Sequence, residues 1–257
     1  MEKMTIKEIK TFLDRRATLT ESEWAMLRAD HRKGVQELVG RMERAHEKQQ
    51  EALKRWHDLN QYEHALRDRG IRRIAGIDEV GRGPLAGPVV ACAVILPADD
   101  QLLGVNDSKT LSRDQRQSMV GQIKDTAEAI GIGVATPEDI DRVNIYQASK
   151  MAMVRAVEQL SPAPDHLLVD AMDIPLSIAQ TSIIKGDAKS ISIAAASIIA
   201  KETRDEMMIN LGKQYPDYGF EDHMGYPTKQ HMEALDQLGP IPDHRRSFRP
   251  VRERLKG

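Results

Sequence analysis

A chain of 257 residues with 40% hydrophobic and 30% charged side chains can bury a sizeable core, which excludes a wholly disordered polymer and leaves one domain of ~190 residues plus an accessory segment. No apolar stretch is long and uncharged enough to span a bilayer, and Met1 to Glu8 lack a signal peptide's apolar core, so a cytoplasmic protein without membrane association is expected. The net charge of -2 does not advertise nucleic-acid binding, but residues 1–70 hold 15 Lys/Arg against 13 Asp/Glu and residues 71–257 hold 22 against 26, which leaves room for a local basic surface.

Residues 1–70 lack proline, contain only Gly34, Gly40 and Gly70, and are rich in helix formers. The spacing of Ile6, Ile9, Phe12 and Leu13 predicts a helix from Thr5 to Arg16. Thr20-Glu-Ser-Glu23 has the pattern of a capping box and opens a long helical stretch toward Arg67, with Leu27, Val35, Leu38, Val39 and Met42 as an apolar stripe. Two or three helices packed on a larger domain are expected. They serve either as a solvated spacer or as an arm whose cations touch a nucleic-acid backbone, and paired charges on helix faces favour the spacer.

From residue 71 the texture changes. Ile71 to Ile77 and Pro88 to Leu96 are strand-like, and the turn Gly81 to Pro88 between them predicts a hairpin. The single cysteine, Cys92, lies in the second run, where a buried structural thiol is expected; neither an intrachain disulfide nor a multi-cysteine metal site is possible. Ile130 to Ala135 reads as a third strand, Pro137 to Leu160 as helical, His166 to Asp170 and Ser182 to Lys185 as short strands, and Ile191 to Gly212 as a long helix. Three leading strands followed by alternating helices and strands predict an α/β fold with a mixed sheet flanked by helices. The expected division is a helical extension at 1–70 and a domain at 71–257 ending in a helical segment.

Asp78 and Glu79 are adjacent carboxylates beside a Gly-Arg-Gly turn, while Asp170 and Asp187 each follow an apolar run at a point where the chain leaves the sheet. Sites in α/β sheets collect at the carboxyl ends of strands, so these four acids from three segments can meet at one edge. Converging carboxylates repel and cost desolvation unless cations neutralise them. Their hard oxygens suit Mn2+ or Mg2+, and two such ions about 3.5 to 4 Å apart can activate a water on one side of a phosphate and stabilise the departing oxygen on the other. Neighbouring side chains on a strand point to opposite faces, so Asp78 and Glu79 can share a site only at a strand end or a distortion. Any one aspartate at a strand end is more often a turn former or helix cap, Asp187 above all. The constellation carries the reading.

Ile77-Asp-Glu-Val-Gly-Arg-Gly-Pro-Leu-Ala-Gly-Pro88, Asp107-Ser-Lys-Thr-Leu-Ser112, Leu168-Val-Asp170, Lys185-Gly-Asp-Ala-Lys189 with Ile193 to Lys201, and His223-Met-Gly-Tyr-Pro-Thr-Lys229 together resemble bacterial ribonuclease HII over about residues 71–250, in the family's order. The resemblance implies a ribonuclease H-like fold. It implies hydrolysis of the phosphodiester 5′ to a ribonucleotide in RNA–DNA hybrids and in duplex DNA with embedded ribonucleotides, leaving 3′-hydroxyl and 5′-phosphate ends. It places the family's metal-binding acids on Asp78, Glu79, Asp170 and Asp187. It also gives the Gly81-Arg82-Gly83 turn the reading of the ribose 2′-hydroxyl through main-chain groups, and Tyr226 the packing against the neighbouring sugar. Glycines permit that close approach in a shallow minor groove. Lys109, Lys189, Ser197 and Lys201 fall in motifs that resemble the family's substrate-facing parts, where cations and hydroxyls hold phosphates.

Outside the resemblance each residue has a plainer role. Gly81 and Gly83 suit an ordinary tight turn, and Tyr226 a half-buried aromatic. Arg204 reads as a solvated residue on the exposed face of the Ala-rich helix, and His244 to Pro250 either clamps phosphate or packs through Phe248. His223, His231 and His244 invite zinc, but no cysteine or second acidic motif supports it. The all-helical start argues against the related ribonuclease HIII group. The expectation is a monomeric two-metal endonuclease serving ribonucleotide or primer removal, its protein partners unspecified. The alternatives are a hybrid nuclease needing consecutive ribonucleotides and a nucleic-acid-binding protein without catalysis.

Overall fold

The computed structural model describes residues 4–15, 19–100, 102–105 and 111–255. Lys109 and most of the Asp107 to Ser112 motif lie outside them. The chain divides into two compact units, Met1–Arg55 and Trp56–Gly257.

The first unit holds α1 (Ile6–Asp14), α2 (Glu21–Arg28) and most of α3 (Lys33–Leu59). Thr5 and Thr20 both close capping boxes, with Glu8 and Glu23 as their partners. Ile9, Leu13, Leu27, Val35 and Val39 form its core, with Trp24 and Met42 packed beside them. The long helix expected from Thr20 to Arg67 is broken twice. At the first break the Asp30 carboxylate accepts from the N–H of Arg32 at 3.0 Å and from the Arg32 guanidinium, a local bond that competes with the helical ladder. At the second, the Asn60 amide donates to the Trp56 carbonyl at 3.1 Å, and α4 (Gln61–Arg67) starts anew.

In the second unit Leu59 and Leu66 are buried in clusters with residues of its sheet and its longest helix. Glu63 is fully buried, and one of its oxygens accepts from Ser190 Oγ at 2.6 Å and Ser192 N–H at 3.1 Å, at the start of that helix. Its strands are β1 (Ile74–Val80), β2 (Val89–Ile95), β3 (Ala129–Ala135), β4 (His166–Asp170) and β5 (Gln180–Ile183), in the spatial order β3-β2-β1-β4-β5. β1 pairs antiparallel with β2 as the predicted hairpin, β2 antiparallel with β3, and β4 runs parallel to both β1 and β5. The sheet is therefore mixed, as expected.

Around it lie α5 (Arg113–Thr126), α6 (Pro137–Val143), α7 (Ile145–Glu158), α8 (Ile191–Gln214), α9 (Phe220–His223), α10 (Lys229–Leu238) and α11 (Arg249–Arg254). Strand alternation sends Ala75, Ile77, Ala91 and Ala93 into the cluster formed with α7, and Cys92 and Val94 into the one formed with α8. Cys92 is fully buried, as its apolar run predicts. Among the described residues no helix is long and apolar enough to cross a membrane.

Candidate active site

The register of β1 and β4 aligns Ile77 with Val169, so Asp78 and Asp170 are the next residues along two adjacent parallel strands. Asp78 is 6% exposed, on the α8 side of the sheet, where Ser197 hydrogen-bonds it, and the N–H of Glu79 donates to its Oδ1 at 2.7 Å. Burial drives the Asp78 carboxyl well above the usual range, and the charges of Glu79 and Asp170 push it the same way. Burial likewise raises Glu79 to about 7; Arg82 pulls it down and Asp170 pushes it up. Both acids lie near the end of β1, still in register with Cys92 and Ala91 of β2 but past its last pairing with β4, and both sense the charge of Asp170.

Asp187 sits in the 3-10 turn Gly186–Ala188 and is 8% exposed. Its neighbour Gly186 donates its N–H to Asp170 Oδ1 at 2.6 Å, which ties this turn to the end of β4. The structure therefore brings Asp78, Glu79 and Asp170 into mutual electrostatic contact and links Asp187 to them through Gly186. Among the described residues no three Asp, Glu, His or Cys side chains are arranged to hold one ion. The chemistry of the set nevertheless suits a hard cation. Glu79 Oε2 is buried without a hydrogen-bond partner, and the ion pair that Glu79 makes is a 3.5 Å contact with the half-exposed Arg82. All the donors are carboxylate oxygens, and added positive charge would relieve their repulsion.

The turn after β1 packs directly beside these acids. Gly81 has φ +94°, and a Cβ there would stand 2.2 Å from Arg204 Nε, so only glycine fits. Gly83 is exposed, and a Cβ on it would stand 3.3 Å from Cε1 of Tyr226, which is 44% exposed. The turn and the tyrosine ring thus form one surface. Lys189 is exposed on the turn that follows Asp187. Ser197 is 5% exposed and reaches Asp78, and Lys201 is paired with Asp205 at 2.5 Å.

Arg204 corrects the sequence-based expectation. It is 1% exposed, not solvated, because Ser197, Arg204 and Met208 recur on one buried face of α8, and its guanidinium donates to the carbonyls of Pro88, Met224 and Ala86. Arg245 is fully buried and donates to Gly81, Arg82, Gly87 and Pro88, with its guanidinium over the Phe248 ring. Within His244 to Pro250 this arginine thus packs inward. The i, i+7, i+11 spacing of Ser197, Arg204 and Met208 was the available signal for the first; nothing local marks the second.

The three histidines form a buried hydrogen-bonded group. His231 Nδ1 lies 2.9 Å from the Tyr226 carbonyl and so carries the proton, which leaves Nε2 to accept from His244 Nε2 at 3.1 Å. His244 Nδ1 then accepts from the N–H of Ile241 at 3.0 Å. His223 donates to the Tyr218 carbonyl and accepts from the Gly225 N–H. Each ring nitrogen is used, which leaves no lone pair for zinc, and burial drives His244 down to about 4.

A mixed sheet with acids at the ends of adjacent parallel strands, next to a glycine turn and a facing tyrosine, defines a ribonuclease H-like protein. The model of the family "Ribonuclease HII" matches residues 75–251, and that of the "Ribonuclease HII N-terminal domain" matches residues 5–67. A ribonuclease HII of Bacillus cytotoxicus is 54% identical over 256 residues, covering 100% of this chain and 99% of its own. The crystal structure of the ribonuclease H2 from Pyrococcus horikoshii superposes with a TM-score of 0.62 at 28% identity, over 72% of this chain and 97% of that one. Bst-RNase HIII, solved in complex with Mn2+, shares the fold at a TM-score of 0.55 and 20% identity, over 72% of this chain and 70% of its own. The chain belongs to the ribonuclease HII family, and it is accordingly an enzyme, a ribonuclease H of type 2 with endonuclease activity on RNA–DNA hybrids.

Proposed function

We propose that the protein cuts the phosphodiester on the 5′ side of a ribonucleotide, both in RNA–DNA hybrids and in duplex DNA carrying isolated ribonucleotides, leaving 3′-hydroxyl and 5′-phosphate ends. The observation that carries this reading is the contact between Gly83 and Tyr226 beside the buried Asp78 and the half-buried Glu79 and Asp170, whose charges repel one another. A ribose-sensing surface adjoins a set of oxygens that requires cations.

In this reading Asp78, Glu79, Asp170 and Asp187 hold two divalent ions, Mn2+ or Mg2+. When bound, the ions supply Lewis-acid charge at the scissile phosphate and make a water a better nucleophile. The protein's own groups do the rest. Ser197 orients Asp78 through their hydrogen bond, and the main-chain amide of Gly186 holds Asp170. The Gly81-Arg82-Gly83 turn brings backbone groups to the 2′-hydroxyl, which serves recognition and not attack, and the Tyr226 ring packs on the sugar. Lys189 meets the phosphate backbone, and Lys109 is assigned the same task from its motif alone. The protein acts as a monomer in the cytoplasm, where it removes misincorporated ribonucleotides or primers; residues 1–70 form an extension to the catalytic domain.

The test is cleavage of an end-labelled duplex holding one ribonucleotide, with Mn2+ or Mg2+ and with chelator, beside a hybrid of consecutive ribonucleotides. A single cut 5′ to the ribonucleotide, lost on chelation and lost by at least about 100-fold in Asp78→Asn while duplex binding persists, is expected. Near-normal turnover by Asp78→Asn refutes the site, and cleavage confined to the hybrid refutes the substrate.

A further inference from the structure

Two arginines without acidic partners lie beneath the surface just described. Arg204 and Arg245 are 1% and 0% exposed, and among the described residues neither makes an ion pair. Every hydrogen bond they make there goes to a main-chain carbonyl. Burying a guanidinium costs several kcal/mol, and an apolar side chain of similar volume would fill the space at no such cost. Burial pulls Arg245 down to about 9 and Arg204 to about 10, which registers that cost. A charge retained in this position does something that packing alone does not.

What it does is legible in its partners. Arg245 Nη1 donates to the Arg82 carbonyl at 3.0 Å and Nη2 to the Gly81 carbonyl at 2.5 Å, so the 81–83 turn is held by its own backbone. Arg204 Nη1 donates to the Met224 carbonyl at 3.1 Å and Nη2 to Ala86 at 3.2 Å, which joins the Tyr226 segment to the same loop. The two guanidiniums share the Pro88 carbonyl as an acceptor. These segments are irregular: Gly81, Gly87, Met224 and Gly225 all have positive φ. Carbonyls in such turns lie outside the sheet ladders and need partners. The planar fork of arginine, with five donors in fixed directions, can serve several at once, which an ammonium cannot.

We propose that Arg204 and Arg245 are positioning residues that fasten the Gly81–Gly83 turn and the Met224–Tyr226 turn in one relative geometry, and thereby set the selectivity for a ribonucleotide. The proposal rests on the reading of these turns given under the proposed function. Neither arginine touches substrate; they act through Gly81, Arg82 and Tyr226. Arg82, held from below by Arg245, is also the residue whose side chain approaches Glu79 at 3.5 Å, so the same fastening reaches the acids.

The experiment compares the full-length protein with Arg245→Lys and Arg204→Lys, each retaining charge but losing the fork. Two substrates are used, a duplex with one ribonucleotide and a hybrid of consecutive ribonucleotides, with Tm recorded for each protein. A lone ribonucleotide offers one register, whereas the hybrid offers many, so a loosened surface should lose on the order of 10- to 100-fold in kcat on the first and clearly less on the second, with KM changed by no more than about twofold. A loss of folded protein lowers both rates together and leaves their ratio unchanged. An unchanged ratio in both variants, or failure of both to fold, overturns the proposal. If the unaltered protein leaves the lone-ribonucleotide duplex intact, or Tyr226→Ala cuts it normally, the underlying reading falls and takes the proposal with it, an outcome distinct from an unchanged ratio.

Discussion

Gly83 and Tyr226, 143 positions apart in the chain, face each other so closely that a Cβ on the glycine would stand 3.3 Å from the tyrosine ring. The contact is made by the ring, with the Tyr226 backbone held by His231 through its carbonyl. Tyr226→Ala should therefore lower kcat/KM at a lone ribonucleotide by roughly 10- to 100-fold, Gly83→Ala by a smaller factor as the ring shifts by a few tenths of an ångström, and Tyr226→Phe by little. Steady-state cleavage of the single-ribonucleotide duplex measures all three. Equal rates for Tyr226→Ala and the unaltered protein would remove the ring from recognition.

Cation binding should depend on pH with a definite sign. Glu79 is raised to about 7 against 4.5 in an unfolded chain, so its protonated form contributes stability that is present below 4.5 and is lost as pH rises through about 7. A divalent ion needs the ionised form and replaces that loss. Millimolar Mn2+ or Mg2+ should raise Tm by roughly 5 °C at pH 8 and by much less at pH 5.5, and chelation should reverse the rise. Thermal unfolding at the two pH values decides it. The same increment at both, or an undiminished one in Asp78→Asn, would place the ion elsewhere.

The buried histidines make the fold sensitive to acid. His244 is driven down to about 4 and His231 is lowered, in each case first by burial, whereas both titrate near 6.5 when unfolded. Protonating His231 sets two N–H groups against each other at its 3.1 Å contact with His244, and protonating His244 sets a new Nδ1–H against the Ile241 N–H at 3.0 Å. Stability present above pH 6.5 should be lost as pH falls toward 4, by about 3 kcal/mol for His244 alone. Denaturant midpoints from pH 7.5 to 4.5 for the unaltered protein and His244→Gln should diverge at the alkaline end and converge toward the acid end. Parallel curves would exclude the histidines as the source.

Much of this molecule follows from periodicity and local chemistry. The capping residues Thr5 and Thr20, the β1–β2 hairpin, the run around Cys92 and the placement of Asp170 at a strand end depend on neighbours a few residues away, which a linear sequence displays. The breaks near Asp30 and Asn60 were not legible: at Asp30 a side-chain bond to the Arg32 N–H stands in place of the ladder, whereas at Asn60 the backbone bond to the Trp56 carbonyl is kept beside the side-chain one.

The sequence by itself determined the alternation of elements, the mixed α/β class and the four acids as candidates. Only the tertiary structure decided that Asp78 and Glu79 both sense Asp170, that Gly83 meets Tyr226, and that Arg204 and Arg245 spend their charge on carbonyls inside the protein. The reason is that an arginine's residue type is the same whether water or a turn accepts its hydrogen bonds. Which of the two does so is settled by chain segments more than a hundred positions away, as Arg245 and Arg82 are here.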